Sequence, residues 1–239
     1  MEQTKKTLQK SYCCVIPVYN NINTIEDVVR RARSVIDNVL VIDDGSSDAD
    51  LTEVLQHLAV EVVRHRENLG KGAALNTALN ILDQRNIDYM ITLDGDGQHF
   101  PEDIPLIIEA LEAIEELVLL AGVRDFTSEN IPLASRWGRS LSNYFIRLET
   151  GVTVADSQCG FRVYPVRAVS AKKCSSMHYD FESEILLECA WSNIKIVDFP
   201  VRIYYPAAGE RVSHFGRFKD TFRIIKVHLR LLARRFFRK

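Results

Sequence analysis

The sequence predicts an α/β domain built on a mostly parallel sheet flanked by helices, and three observations carry that prediction. Short β-branched runs alternate with helix-period segments through the first half, which is the pattern of βαβ units. At 239 residues, with 46% apolar and 26% charged side chains, the chain can bury one sizeable core and has too ordinary a composition for long disorder, collagen-like repeats or a coiled coil. No internal repeat, low-complexity tract or compositional break marks a linker, so one domain with a C-terminal extension is expected.

Tyr12 to Ile16 reads as the first strand. A helix from Ile25 to about Ile36 follows, with Thr24 as N-cap and Asp27 in the capping-box position. Asn38 to Ile42 is the second strand, Asp43 to Asp48 a loop, Asp50 to Leu58 a short helix and Glu61 to Arg64 the third strand. A glycine-bearing loop from Glu67 to Gly72 leads into the helix-forming run Ala73 to Leu82, and Tyr89 to Leu93 is the fourth strand. Pro101 suits the first turn of an acidic helix reaching about Glu116, and Leu117 to Ala121 is a fifth strand. Beyond it, Ser135 to Leu148 is helical, Val152 to Val163 extended, Asp180 to Trp191 helical and Val197 to Tyr205 again β.

The longest apolar stretch, about Leu117 to Val123, falls far short of the ~20 residues that span a bilayer. Neither a transmembrane helix nor a signal peptide is expected, and the predicted location is cytoplasmic. Five cysteines without a C-x-x-C pair fit buried free thiols better than disulfides or a zinc ribbon. The net charge of -2 conceals an asymmetry, because nine Lys/Arg stand against the single Asp220 from Ser213 onward.

In open parallel sheets, ligands bind outside the carboxyl ends of the strands. Here those positions are polar: Pro17-Val18-Tyr19-Asn20 after strand one, Asp43-Asp44-Gly45-Ser46 after strand two and Asp94-Gly95-Asp96 after strand four. Two carboxylates so close together at a strand end can share a divalent metal and leave its other positions to phosphate oxygens and water, with Gln98 as a neutral ligand. Taken alone, D-x-D is as readily a simple turn. An EF-hand is disfavoured, because His99 stands where its loop needs glycine and no Glu occupies the twelfth position. A haloacid-dehalogenase-type phosphatase fits poorly, since Gln98 replaces the usual Thr or Val. Asn68-Leu69-Gly70-Lys71-Gly72 ahead of a helix looks like half of a phosphate loop, with glycines for close backbone approach and Lys71 to neutralise a diphosphate.

The ordered set Ile16 to Asn20, Val41 to Asp48, Asn68 to Gly72 and Leu93 to His99 resembles the family-2 glycosyltransferases. It is most similar to their dolichol-phosphate mannosyltransferase-like, or polyprenyl-phosphate glycosyltransferase, branch, over about Cys14 to Arg167. The resemblance implies a GT-A fold, a nucleotide-sugar donor (UDP- or GDP-linked), Mg²⁺ or Mn²⁺, and inversion at the anomeric carbon. Carried over by position, it implies that Pro17, Tyr19 and Asn20 line the nucleoside pocket and that Asp44 contacts the base. Lys71 would lie near the base or diphosphate, Asp94 would face ribose and donor, and Asp96, with Asp94 and Gln98, would hold the metal.

In the second half, Asp156 and Arg162 fall in the acceptor-side segment, where they would position donor and acceptor. Glu182 falls where processive relatives place a catalytic base. A hydroxyl acceptor needs such a base, whereas a lipid phosphate is already ionised and needs none. Arg211 and His214 lie in a loop whose counterpart closes over the diphosphate. In the tail, Phe218, Phe222, Ile225, Leu229, Leu232 and Phe236 recur every three or four residues among basic ones, predicting a basic amphipathic helix that lies on an anionic membrane surface. A nucleic-acid partner is not expected, since no recognition module accompanies the charge.

The sequence thus divides into a glycosyltransferase domain, 1–212, and a helical extension, 213–239. The expected activity is inverting transfer of one sugar to a lipid-linked acceptor by a peripheral membrane enzyme. The lack of a membrane span leaves open a separate membrane protein as partner. Two rivals remain: transfer to a hydroxyl of another lipid or soluble acceptor, and a non-catalytic binding protein on the same fold.

Overall fold

A computed structural model describes residues 10–125, 133–172, 174–204 and 226–232, with backbone alone for 133–138. The elements run β1 (Tyr12–Val18), α1 (Ile22–Arg33), β2 (Val39–Asp43), α2 (Leu51–Leu55), β3 (Glu61–Arg64), α3 (Lys71–Gln84), β4 (Tyr89–Thr92), α4 (Ile104–Glu112), β5 (Val118–Arg124), α5 (Leu133–Thr150), β6 (Arg162–Pro165), α6 (Val166–Ser170), α7 (Phe181–Trp191) and β7 (Lys195–Val201). A short helical stretch, 226–232, follows.

Among the described residues the strands form a seven-stranded sheet in the order β3-β2-β1-β4-β6-β5-β7. β6 pairs antiparallel with both β4 and β5, while β1–β2, β1–β4, β2–β3 and β5–β7 are parallel. Six strands therefore point one way, and the reversed β6 begins at the edge where the others end. That reversal brings the segment before Arg162 to the ligand side of the sheet, opposite Thr92 in register.

The core lies on both faces of the sheet. Strand alternation sends Cys13 and Val15 to the face covered by α3, α6 and α7, and Cys14, Ile16 and Val18 to the face covered by α1, α2 and α4. Cys13, Cys14, Cys159 and Cys189 are buried free thiols, and Cys174 is half-buried.

Several boundaries differ from expectation for identifiable reasons. α1 begins at Ile22, because Asp48 of the neighbouring turn accepts the Ile22 N–H at 2.9 Å. Thr24 instead donates its hydroxyl to Gly95 O at 2.6 Å and ties the helix to the turn after β4. The segment expected to be extended from Val152 forms a strand only from Arg162, since side chains take up its earlier backbone groups. Asn143 donates to Ala155 O, and Asp198 accepts the Ala155 N–H.

The 212/213 boundary and most of the tail stripe fall outside the described residues. The described part, 226–232, packs on the domain: Val227 and Leu231 join the α5–α7 core, and buried His228 meets Glu149 of α5 at 2.6 Å. Leu229, a member of the predicted apolar stripe, is exposed.

Candidate active site

The carboxyl edge gathers four turns. Asn20, in the left-handed region at φ 51°, links the first two: its N–H donates to Ser46 Oγ and its side-chain oxygen accepts the Ser47 N–H at 2.8 Å. Pro17 is buried at the end of β1, and Tyr19 is half-buried beyond it.

Asp44 is held by protein partners at the end of β2. It is 3% exposed, and its oxygens accept the Leu69 and Gly70 N–H groups at 3.0 and 2.8 Å and meet His65 Nδ1 at 2.7 Å. His65 Nε2 reaches Thr77 Oγ1 at 2.9 Å, so Asp44 and His65 fasten the loop before α3 to the end of β2.

The glycine loop is likewise built for protein contact. Gly70 has φ +101°, and a Cβ there would come within 2.3 Å of Met177 O and 2.2 Å of His178 Nδ1. Its glycine thus admits the 176–178 segment against the start of α3, where the Ala73 N–H donates to Met177 O at 3.0 Å. The Leu69 and Gly70 N–H groups are taken by Asp44 and the Ala73 N–H by Met177 O.

Lys71 is the hub. Its Nζ lies 2.6 Å from Asp94 Oδ1 and 2.8 Å from Glu182 Oε1, under the Tyr179 ring. Burial works against the ammonium, but Asp94 and Glu182 outweigh it and hold its pKa well above the ordinary lysine value. Burial also opposes charge on Asp94, yet Lys71 and then His99 hold that carboxyl below its usual range. For Asp96 the pull of Lys71 is outweighed: burial, followed by the Asp94 charge, pushes it up to about 6. The Gln98 N–H donates to Asp96 Oδ1 at 3.0 Å, and Gln98 O accepts the Tyr204 N–H.

Gly160 completes the hub, because a Cβ there would lie 2.4 Å from Asp94 Oδ2 and 2.8 Å from Lys71 Nζ. Gly160→Ala is therefore expected to displace Asp94 and weaken any nucleotide bound at this edge at least tenfold with an unchanged circular-dichroism spectrum, as titration calorimetry would show.

The structure brings Asp156 to this edge beside Arg124. It is fully buried, and Arg124 at the end of β5 takes it by Nε at 2.6 Å and Nη2 at 2.9 Å. Arg162, assigned by sequence to substrate, is an internal brace instead: it is 1% exposed and donates to the carbonyls of Ser157, Cys159 and Glu182.

Sequence reasoning did not single out Arg124, Tyr179, Gly160 or His99 for the site. His99 is 5% exposed and 4.0 Å from Asp94, and burial lowers its pKa to about 4, so its ring is neutral at pH 7. Its place directly after the Asp94-to-Gln98 turn was the available signal. Arg211 and His214 lie outside the described residues.

Residues 13–171 match the family model described as "Glycosyl transferase family 2". A UDP-N-acetylglucosamine–dolichyl-phosphate N-acetylglucosaminyltransferase of Methanococcus voltae is 27% identical over 80% of this chain and 84% of its own. An undecaprenyl-phosphate mannosyltransferase of Micrococcus luteus is 26% identical over 82% and 84%. Among solved structures, glucosyl-3-phosphoglycerate synthase from Mycobacterium tuberculosis, in complex with Mn²⁺, UDP and glucosyl-3-phosphoglycerate, superposes with a TM-score of 0.69 at 21% identity over 94% of this chain and 80% of that one.

Proposed function

The chain belongs to glycosyl transferase family 2, and from that premise we propose that it moves one sugar from a UDP- or GDP-linked donor to a lipid-linked acceptor, most simply a polyprenyl phosphate, with inversion. The observation that carries the reading is the Lys71 ammonium 2.6 Å from Asp94 at the carboxyl edge, with Asp96 in the same turn. The acceptor class is supported by the two relatives named for dolichyl and undecaprenyl phosphate.

Asp94 and Asp96 fit a divalent cation. They share a half-buried turn in which burial, and then the charge of Asp94, pushes Asp96 up to about 6, and a cation between them would relieve the repulsion. Among the described residues no group of three or more His, Cys, Asp or Glu is arranged around a metal. Mg²⁺ or Mn²⁺ would be held by this pair with Gln98, its other positions taken by diphosphate oxygens and water. When bound, the ion supplies charge stabilisation to the departing nucleoside diphosphate.

The chain's own residues do the remaining work. Pro17, Tyr19 and Asn20 border the nucleoside, on a surface that Asp44 and His65 hold in shape. Lys71 keeps a fixed positive charge beside the diphosphate, where negative charge grows as the anomeric C–O bond breaks and the acceptor oxygen bonds to the same carbon. Asp156 orients Arg124 at the acceptor side.

An ionised phosphate acceptor has no proton to lose, so Glu182 serves as counter-ion to Lys71 rather than as base. Glu182→Gln is then expected to keep measurable transfer to a polyprenyl phosphate, within about tenfold of wild type. A loss of about 10²-fold or more with donor binding intact would instead identify a hydroxyl acceptor whose proton Glu182 removes.

The proposal includes peripheral attachment to an anionic membrane surface on its cytosolic side. Among the described residues no helix is long and apolar enough to cross a membrane. Leu141, Tyr144 and Leu148 recur along α5 as exposed apolar side chains, and Leu229 is exposed on 226–232 beside Lys226 and Arg230. Deleting the tail would also strip Val227 and Leu231 from the core. The cleaner test is Leu148→Ser with Leu229→Ser, for which vesicle sedimentation should show weaker binding to anionic lipid at unchanged thermal stability.

A further inference from the structure

We infer that Arg230 is a positioning residue that couples docking of the C-terminal helical stretch to the donor site through Glu184 and the 175–178 segment. The inference rests on the donor-site reading above and extends it to how that site is held together.

The first turn of α7 carries two buried carboxylates that face opposite ways. Glu182 meets Lys71 at 2.8 Å on the donor side, and Glu184, 1% exposed, meets Arg230 Nη2 at 3.1 Å on the other. The same Arg230 Nη2 donates to Ser176 Oγ at 3.2 Å. Glu184 Oε2 accepts the Ser175 and Ser176 N–H groups at 3.2 and 2.8 Å, so one cation and one carboxylate together fix the 175–176 backbone. The next residue, Met177, accepts the Ala73 N–H through its carbonyl and fills the space that Gly70 leaves open. Between Gly70 and Ala73 stands Lys71, the residue whose ammonium joins Asp94 to Glu182.

These contacts form a continuous path from the basic tail to the diphosphate side of the site. Its energetic origin is the burial of Glu184: without Arg230 that carboxylate loses its cation, and its grip on the 175–176 amides must compete with resolvation. The start of α3 then loses the backing that holds Lys71 in place. Helix and sheet cores are not part of this path, so its loss is local. Arg230 itself lies at the surface, where a substitution removes charge without opening a cavity.

The test uses the full chain as wild type, Arg230→Gln, Arg230→Lys and, as a control for charge alone, Lys226→Gln on the exposed face of the same stretch. Hydrogen exchange is followed over 70–74 and 174–182, and binding of UDP and of GDP with Mn²⁺ is measured by calorimetry. Arg230→Gln should exchange faster in both segments and bind its nucleotide about five- to tenfold more weakly, in the lower range of measured coupling between sites. Arg230→Lys should recover most of both effects, and Lys226→Gln should show neither. Unchanged exchange at 70–74 in Arg230→Gln, or an equal effect in Lys226→Gln, overturns the inference. If wild type binds neither nucleotide, the donor reading fails, while exchange at 70–74 still decides the coupling.

Discussion

Asp96→Ala is expected to lower sugar transfer by about two to three orders of magnitude while leaving the fold at least as stable as wild type. The two halves of that expectation have one cause. Burial and the neighbouring Asp94 push Asp96 up to about 6, so the carboxylate strains the empty protein and gains its purpose only when a cation shares the pair. Removing it relieves like-charge repulsion, at the expense of the hydrogen bond accepted from the Gln98 N–H. Charge stabilisation of the leaving diphosphate disappears with the metal. Initial rates over a range of Mn²⁺ concentrations, alongside thermal unfolding without metal, separate these effects. A variant that loses activity only because it unfolds would contradict the assignment.

Lys71→Met is expected to damage stability and function together, in contrast to Asp96→Ala. The ammonium stands between Asp94 and Glu182, whose side chains are 29% and 8% exposed. Breaking a buried pair by deleting one partner costs about 3–5 kcal/mol, and the partial exposure of Asp94 places this case near the lower end. Against a typical total of about 5–15 kcal/mol, a loss of that size should be plain in a urea titration as a lower midpoint with an unchanged slope. Nucleotide binding should fall as well, because Asp94 loses the cation that keeps it ionised and in place. Stability equal to wild type would show that the two carboxylates are satisfied without Lys71.

The contrast between these two acidic turns shows what the chain order reveals and what it hides. The placement of Asp94, Asp96 and Lys71 at the carboxyl edge was legible because each follows a strand or opens a helix there, and the alternation of short β runs and helices locates that edge. Asp44 and Asp156 occupy equally suggestive positions, yet both are consumed by protein partners: Asp44 by His65 and Asp156 by Arg124. Which buried carboxylate is already satisfied depends on contacts between distant segments, and spacing along the chain carries no trace of them. The start of α1 was hidden for the same reason, since its cap comes from Asp48 in another loop. The reversed direction of β6 was also illegible, because the four residues Arg162-Val163-Tyr164-Pro165 carry no mark of strand direction, and Gly160 reaches the site only through that reversal.

The central claim is that Asp94, Asp96 and Lys71 form a metal-dependent nucleoside-diphosphate site. The most direct test is a thermal-shift panel of UDP, GDP, CDP and dTDP, each with and without Mn²⁺, on wild type and on Asp96→Ala. A ligand at one hundred times its dissociation constant stabilises a fold by ~2.7 kcal/mol, enough to move the midpoint by several degrees. The account predicts a Mn²⁺-dependent rise with UDP or GDP that is absent in Asp96→Ala. No rise with any of the four, or one that survives the substitution, would contradict it.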